Sequence, residues 1–235
     1  MIRKILIICV LLFFACANSH KPKLTNIDIL EFYDNLDSND IIILDVRTSQ
    51  ERASGYINNS THIDYYDDLF LEKVNLLNKE TPIYIYCKIG GRSIKVAKKI
   101  SELGFKNIYN LEGGFLKWST NNLPFEFESE MKLDNLSQKY SKAHIDSLIS
   151  LNNNTLIYIS TKWCAPCREM NPIVESLEDE FSDHLKIINI DLDNNNFIKE
   201  MYKISSIPLF VLYRNDKEIW RKNGIIAFSD VADKL

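Results

Sequence analysis

Cys164 and Cys167 stand two residues apart in Trp163-Cys164-Ala165-Pro166-Cys167-Arg168, a spacing at which two thiols can close into one disulfide. The apolar run 155–160 before them reads as a buried strand, and 169–181 after them has helical periodicity. The pair therefore sits where a strand turns into a helix. Free backbone N–H groups and the positive end of the helix dipole favour a thiolate there, on Cys164 as the outer cysteine. The same spacing would serve a structural disulfide or half of a zinc site. A zinc site wants a second Cys or His pair, and none of His20, His62, His144 or His184 is so placed.

A second candidate lies upstream, in Cys87-Lys88-Ile89-Gly90-Gly91-Arg92-Ser93. The run 82–86 reads as a strand and 92–103 as a helix ended by Gly104, so Cys87 occupies the carboxyl end of a strand. That is where open α/β sheets place their ligands. Gly90 and Gly91 allow backbone angles that turn several N–H groups inward, forming an anion nest with the helix N-terminus behind it. Lys88 and Arg92 add positive charge. Together these features lower the expected pKa of Cys87 and favour a small anion over its sulfur.

The elements that must hold these cysteines alternate. The first region reads as a helix over 26–36 behind a Thr25 or Asn26 cap, a buried strand over 41–46, and a helix over 67–78. The strand and helix around Cys87 follow, then a strand over 107–109 and, through Gly113-Gly114, a helix over 115–121. A polar, mixed-charge stretch leads to a helix over 137–151, and Asn152-Asn153-Asn154 turns the chain into the strand before Cys164. The fold class is α/β in two domains. With 46% hydrophobic and 26% charged residues in 235, the composition is that of an ordinary globular chain. A net charge of −4 with no basic stripe excludes nucleic acid as a partner. His62, His144 and His184 are isolated from any motif and read as surface residues.

The Trp163–Arg168 stretch resembles the thioredoxin family, and Ser206-Ile207-Pro208-Leu209 strengthens the likeness. It extends over Asp191-Leu192-Asp193, a strand over 209–213 and Lys222-Asn223-Gly224. The resemblance covers residues 140–235 and implies a mixed sheet with flanking helices. It also implies a redox-active Cys164/Cys167 pair, Trp163 as a surface aromatic beside the thiols, and a cis-proline at Pro208. That proline, with Ile207, would help hold an extended substrate segment. Arg168 reads as a charge near the site. Tyr158 stands where the family commonly carries a buried Asp that takes a proton from the inner thiol, and a tyrosine is a poor base at neutral pH.

The upstream region, 24–127, resembles the rhodanese family of sulfurtransferases. The likeness rests on Leu44-Asp45-Val46-Arg47, Gly55-Tyr56-Ile57, the Cys87 loop, and Leu111-Glu112-Gly113-Gly114 through Trp118. It implies a parallel sheet with flanking helices and a catalytic Cys87 that holds sulfane sulfur as a persulfide. Arg92 would orient the anion, and Lys88, Ile89, Gly90, Gly91 and Ser93 would line its cradle. Tyr56 replaces a frequent His. Four residues separate Cys87 from Arg92, against five in the related cysteine phosphatases and arsenate reductases, a loop sized for sulfur.

At the start, Met1-Ile2-Arg3-Lys4 and the apolar run 5–15 form a secretory signal pattern, too short to span a membrane. Phe13-Phe14-Ala15-Cys16 resembles a bacterial lipobox, with Phe13 in place of the usual Leu, which implies acylation of Cys16; the alternative is ordinary cleavage near Ala17, giving a free exported protein. The organisation is then a signal over 1–15, a tether over 16–23, the two domains over 24–127 and 140–235, and a linker over 128–139. The expected protein is exported to the periplasmic side, anchored to the membrane through Cys16, and needs no cofactor or metal. Its expected partners are a sulfane-sulfur donor such as thiosulfate or polysulfide, protein thiols or disulfides, and a membrane electron donor. The expected function is sulfurtransfer at Cys87 coupled to reduction by Cys164 and Cys167. The competing one is a protein thiol-disulfide oxidoreductase in which the first domain only docks partners.

Overall fold

The structure is a computed structural model describing residues 22–36, 38, 40–127 and 139–235. The signal over 1–15, residues 16–21 of the tether over 16–23 and residues 128–138 of the linker over 128–139 lie outside the described residues, as does His20. The first domain runs β1 (Lys23–Ile27), α1 (Ile29–Asp34), β2 (Ile42–Asp45), α2 (Ser49–Arg52), β3 (Ser60–His62), α3 (Phe70–Val74), β4 (Ile83–Tyr86), α4 (Gly91–Glu102), β5 (Asn107–Leu111) and α5 (Gly114–Thr120). The second runs α6 (Lys142–Ser150), β6 (Asn154–Ser160), α7 (Ala165–Glu180), β7 (Lys186–Asp191), α8 (Phe197–Met201), β8 (Leu209–Arg214), β9 (Lys217–Asn223) and α9 (Phe228–Ala232).

Among the described residues the first domain has a five-stranded, all-parallel sheet in the order β1-β5-β4-β2-β3. Its central strands β2 and β4 are buried at every position, as continuous apolar strands between two helical layers must be. The second domain has a four-stranded mixed sheet in the order β7-β6-β8-β9, with β6 parallel to β7 and β8 antiparallel to both β6 and β9. The expected α/β architecture with two domains is what the chain adopts.

The elements differ from the expectation in three places. The helix expected over 26–36 starts later, because residues 23–27 pair with β5 as an edge strand. Asp28 is the N-cap, its carboxylate accepting from the N–H groups of Leu30 and Glu31. The helix expected over 67–78 shrinks to α3, flanked by turns, which lets Leu76 and Leu77 point into different cores. Leu77 packs in the first domain, whereas Leu76 is buried among side chains of the second. Helix α2 and strand β3 were not anticipated. Strand β3 is too short to show a period, but Thr48 and Glu51 form a capping box that marks α2 in the sequence.

One buried cluster of charge ties three strands of the first sheet together. Asp45 on β2 accepts from Arg47 Nε and NH2, from the Tyr86 hydroxyl on β4 and from Arg52. Arg52 also reaches the Ser60 hydroxyl on β3, and its guanidinium stacks 3.7 Å over the ring of Tyr56, which gives that tyrosine a role. Asp45→Ala leaves two buried guanidiniums without their shared carboxylate, with an expected cost of about 3–5 kcal/mol. Urea unfolding followed by signals from the first domain measures it. A loss under about 1 kcal/mol, the size of an ordinary surface change, would show the cluster to be dispensable.

Candidate functional site

Cys87 follows the last residue of β4, with its side chain 1% exposed. Its sulfur accepts from the N–H of Gly90 at 3.1 Å and from the Ser93 hydroxyl at 3.5 Å. Burial pushes this thiol up. The Ser93 hydroxyl and the backbone N–H groups of Ser93, Ile89 and Arg92 outweigh it, so the pKa falls below that of an ordinary cysteine. Gly90 caps α4 in the left-handed region at φ 95°, which is what turns its N–H toward the sulfur. Gly91 is an ordinary helical residue and does not share that role.

The loop is clamped from its far side by Gly113 and Gly114. Phe115 N–H bonds the Cys87 carbonyl at 2.8 Å and Leu116 N–H the Lys88 carbonyl at 2.9 Å. A Cβ on Gly114 would lie 2.4 Å from the Cys87 carbonyl oxygen, so only glycine permits this approach. Lys88 and Ile89 are exposed on the rim. Arg92 differs from the expected free anion-orienting group: its guanidinium is held by Glu51 at 2.7 Å. That pairing draws Glu51 below the usual carboxylate range against the opposing effect of burial, and commits the Arg92 guanidinium to a carboxylate.

Cys164 and Cys167 form a disulfide across the start of α7, with Cα atoms 5.3 Å apart. Cys164 is the N-cap, and the Cys167 N–H donates to its sulfur at 3.2 Å. The helix start thus directs N–H density at the sulfur that the sequence marks as the attacking one. The Ile207-Pro208 peptide bond is cis, as expected. Tyr158 is buried, stacked on Phe210 at 4.8 Å, and its hydroxyl donates to the Cys167 carbonyl at 2.6 Å. Burial raises its pKa further, so it positions the helix start and is not a base at neutral pH.

Trp163 is not a free surface aromatic. Its indole N–H donates to Asp193 at 2.9 Å, and its ring packs against the cores of both domains. Its carbonyl accepts from the His62 N–H at 3.2 Å. His62 in turn is no isolated surface residue, because its Nε2 lies 2.8 Å from the Arg47 carbonyl. Arg168 does more than add charge near the pair: it donates to the Ser60 and Lys162 carbonyls, and Ala165 N–H donates to the Thr61 hydroxyl at 3.0 Å. Edge strand β3 of the first domain therefore lies along the redox loop of the second. Sequence reasoning missed Ser60, Thr61, His62 and Leu76, since contacts across more than a hundred residues leave no local signal. Among the described residues no group of three or more His, Cys, Asp or Glu side chains could hold a metal ion.

These two sites match known families. A rhodanese-like domain model matches residues 28–121 and a thioredoxin model residues 136–235. The thioredoxin of Chlamydia trachomatis serovar D is 36% identical over 70 residues, which cover 30% of this chain and 68% of that protein. The thioredoxin of Chlamydia pneumoniae is 35% identical over 85 residues, or 36% of this chain and 81% of that protein. The chain belongs to the thioredoxin family. Its thioredoxin domain follows a rhodanese-like domain. A solved rhodanese-like domain protein from Staphylococcus aureus is 34% identical, covering 45% of this chain and 99% of that one at a TM-score of 0.40. The thioredoxin domain with its Cys164–Cys167 pair supports a thiol-disulfide oxidoreductase, a class that acts on protein thiols or disulfides.

The hydroxyl of Ser93 gives a direct test of the Cys87 cradle in the rhodanese-like domain. Alkylation of Cys87 by iodoacetamide should rise with pH through a midpoint below that of an ordinary cysteine. Ser93→Ala removes one donor to the thiolate and should move that midpoint upward. An unchanged midpoint would remove the hydroxyl from the account.

Proposed function

We propose that the protein couples sulfur transfer at Cys87 to thiol-disulfide exchange at Cys164 and Cys167, on the exported side of a membrane. The observation that carries the reading is the Cys87 sulfur set among N–H donors at the end of β4, an arrangement suited to a thiolate and to the persulfide it would form. The Cys87 thiolate attacks the sulfane sulfur of a donor such as thiosulfate or polysulfide. With thiosulfate the S–S bond breaks, sulfite leaves, and Cys87 keeps the transferred sulfur as a persulfide.

The Cys164 thiolate then attacks the outer sulfur, Cys87 leaves as a thiolate, and Cys164 carries the persulfide. Attack of the Cys167 thiolate on Cys164 Sγ forms the disulfide and releases hydrosulfide, two electrons having passed from the dithiol to the sulfane sulfur. An outside reductant, such as a membrane electron donor, must then return the pair to its dithiol. Arg92 with Lys88 supplies positive potential at the mouth for an anionic donor. Trp163, Ile207 and Pro208 line the approach to the pair, with Gly90 and Ser93 shaping the Cys87 loop.

A second reading keeps the oxidoreductase and makes the rhodanese-like domain a docking module. It is favoured by the bonds that β3 makes to the redox loop. Incubation of the purified protein with thiosulfate, followed by intact mass measurement, separates the two. One added sulfur atom is expected in the wild type and none in Cys87→Ser. Failure of the wild type to take up sulfur while it still reduces disulfides leaves only the docking reading.

Export and anchoring rest on the pattern of Arg3 and Lys4, the apolar run 5–15 and Cys16. Cells fed a clickable fatty acid should label the wild-type chain in the membrane fraction and leave Cys16→Ser unlabelled. Label that persists in Cys16→Ser would end the lipidation reading.

A further inference from the structure

Cys164 is 0% exposed in this structure. What covers it is the other half of the same chain. The N–H of Ile207, the residue before the cis-proline, donates to the Leu76 carbonyl at 2.9 Å. On the other side of the disulfide, the Trp163 carbonyl accepts from His62 N–H, and Ala165 N–H is taken by the Thr61 hydroxyl. Backbone groups on both sides of the reactive sulfur are thus engaged at once by residues more than eighty positions upstream.

The side chains follow the same pattern. Leu76 is 7% exposed and belongs to the core cluster that contains both cysteines of the pair, whereas its neighbour Leu77 belongs to the core of the rhodanese-like domain. A leucine carbonyl bonded beside the cis-proline, with its side chain in the same core cluster as the disulfide, is the way a docked peptide segment would sit. Strand β3 is the edge of its sheet, and an edge strand offers unpaired N–H and C=O groups to a partner backbone. Ser60 C=O and His62 N–H, two residues apart on that edge, are met by Arg168 and Trp163.

We propose that the rhodanese-like domain is the resident occupant of the thioredoxin domain's substrate groove, with Leu76 as its anchor, and that the oxidised pair is closed to outside reactants until the two domains part. Because the occupant is tethered, it competes at high local concentration, and an incoming disulfide or reductant reacts only with the open fraction. The same cap sets a condition on sulfur transfer, since Cys164 must leave the β3 edge before it can attack anything else. The inference rests on the contact between the two domains and on no chemistry at Cys87, so it stands or falls independently of sulfur uptake there.

The full-length oxidised protein provides the test. Dithiothreitol is added, aliquots are quenched with an alkylating maleimide, and modification of Cys164 is read by peptide mass. Leu76→Glu places a charge in the covered groove and should speed reduction roughly tenfold or more by raising the open fraction. Ile100→Ala, which loosens the rhodanese-like core from helix α4, away from the groove, should leave the rate close to wild type. Equal rates in wild type and Leu76→Glu, or equal acceleration by both variants, would overturn the proposal. Should Leu76→Glu fail to fold, amide hydrogen exchange of the wild type decides. Ile207, Ala165 and His62 should be protected and should exchange as one group faster than Ile157 in the central strand. Exchange of those three amides at unprotected rates would overturn the proposal equally.

Discussion

A sulfur anion withdrawn from water must be met by N–H donors, and the start of a helix leaves several of them free. Both cysteine sites in this protein are solutions to that constraint. Each puts a sulfur between the last residue of a buried strand and the first turn of a long helix, β4 to α4 for Cys87 and β6 to α7 for Cys164. The strands are apolar because they are covered on both faces, and that burial holds the helix starts still. The donors differ in kind. Around Cys87 a left-handed glycine wraps the loop about one sulfur, whereas at Cys164 the helix cap itself is a sulfur tied to its neighbour.

The two sites also differ in what surrounds them. Cys87 is walled by its own domain, with Gly114 pressed against its carbonyl and the Asp45 cluster bracing the adjacent strands. Cys164 lies in its own domain's core, and the other domain completes its cover with Leu76 and strand β3. The open edge of a parallel sheet and the substrate face of a thioredoxin domain both carry unpaired backbone groups, and each satisfies the other here. Covering an edge strand and covering a reactive disulfide have become one contact. Stability and access are therefore coupled through the same few bonds.

The roles of individual residues changed with this contact. Trp163 and His62 looked independent in the sequence, yet one peptide carbonyl of the first accepts from the amide of the second. Arg92 looked like a free cation over the Cys87 loop, but Glu51, forty-one residues earlier, holds it. Tyr158 replaces a carboxylate with a hydroxyl committed to the Cys167 carbonyl, so the start of α7 gains a fixed anchor where an ionisable group would have served.

What the sequence determined by itself was local and periodic. The spacing of Cys164 and Cys167, the glycines beside Cys87, the unbroken apolar runs of β2, β4 and β6 and the alternation of strand with helix all act within a few residues. That is the range over which dihedral preference and hydrophobic period operate. Elements whose partners are distant depart from these local preferences for the same reason. Residues 23–27 became a strand because β5 was there to pair with, and α3 ended early because Leu76 and Leu77 are drawn into different cores. Only the tertiary structure decided which backbone groups β3 would meet, where the Arg92 charge would go, and that Cys164 would be buried under another domain. Those outcomes depend on surfaces far apart in the chain satisfying each other's unpaired groups.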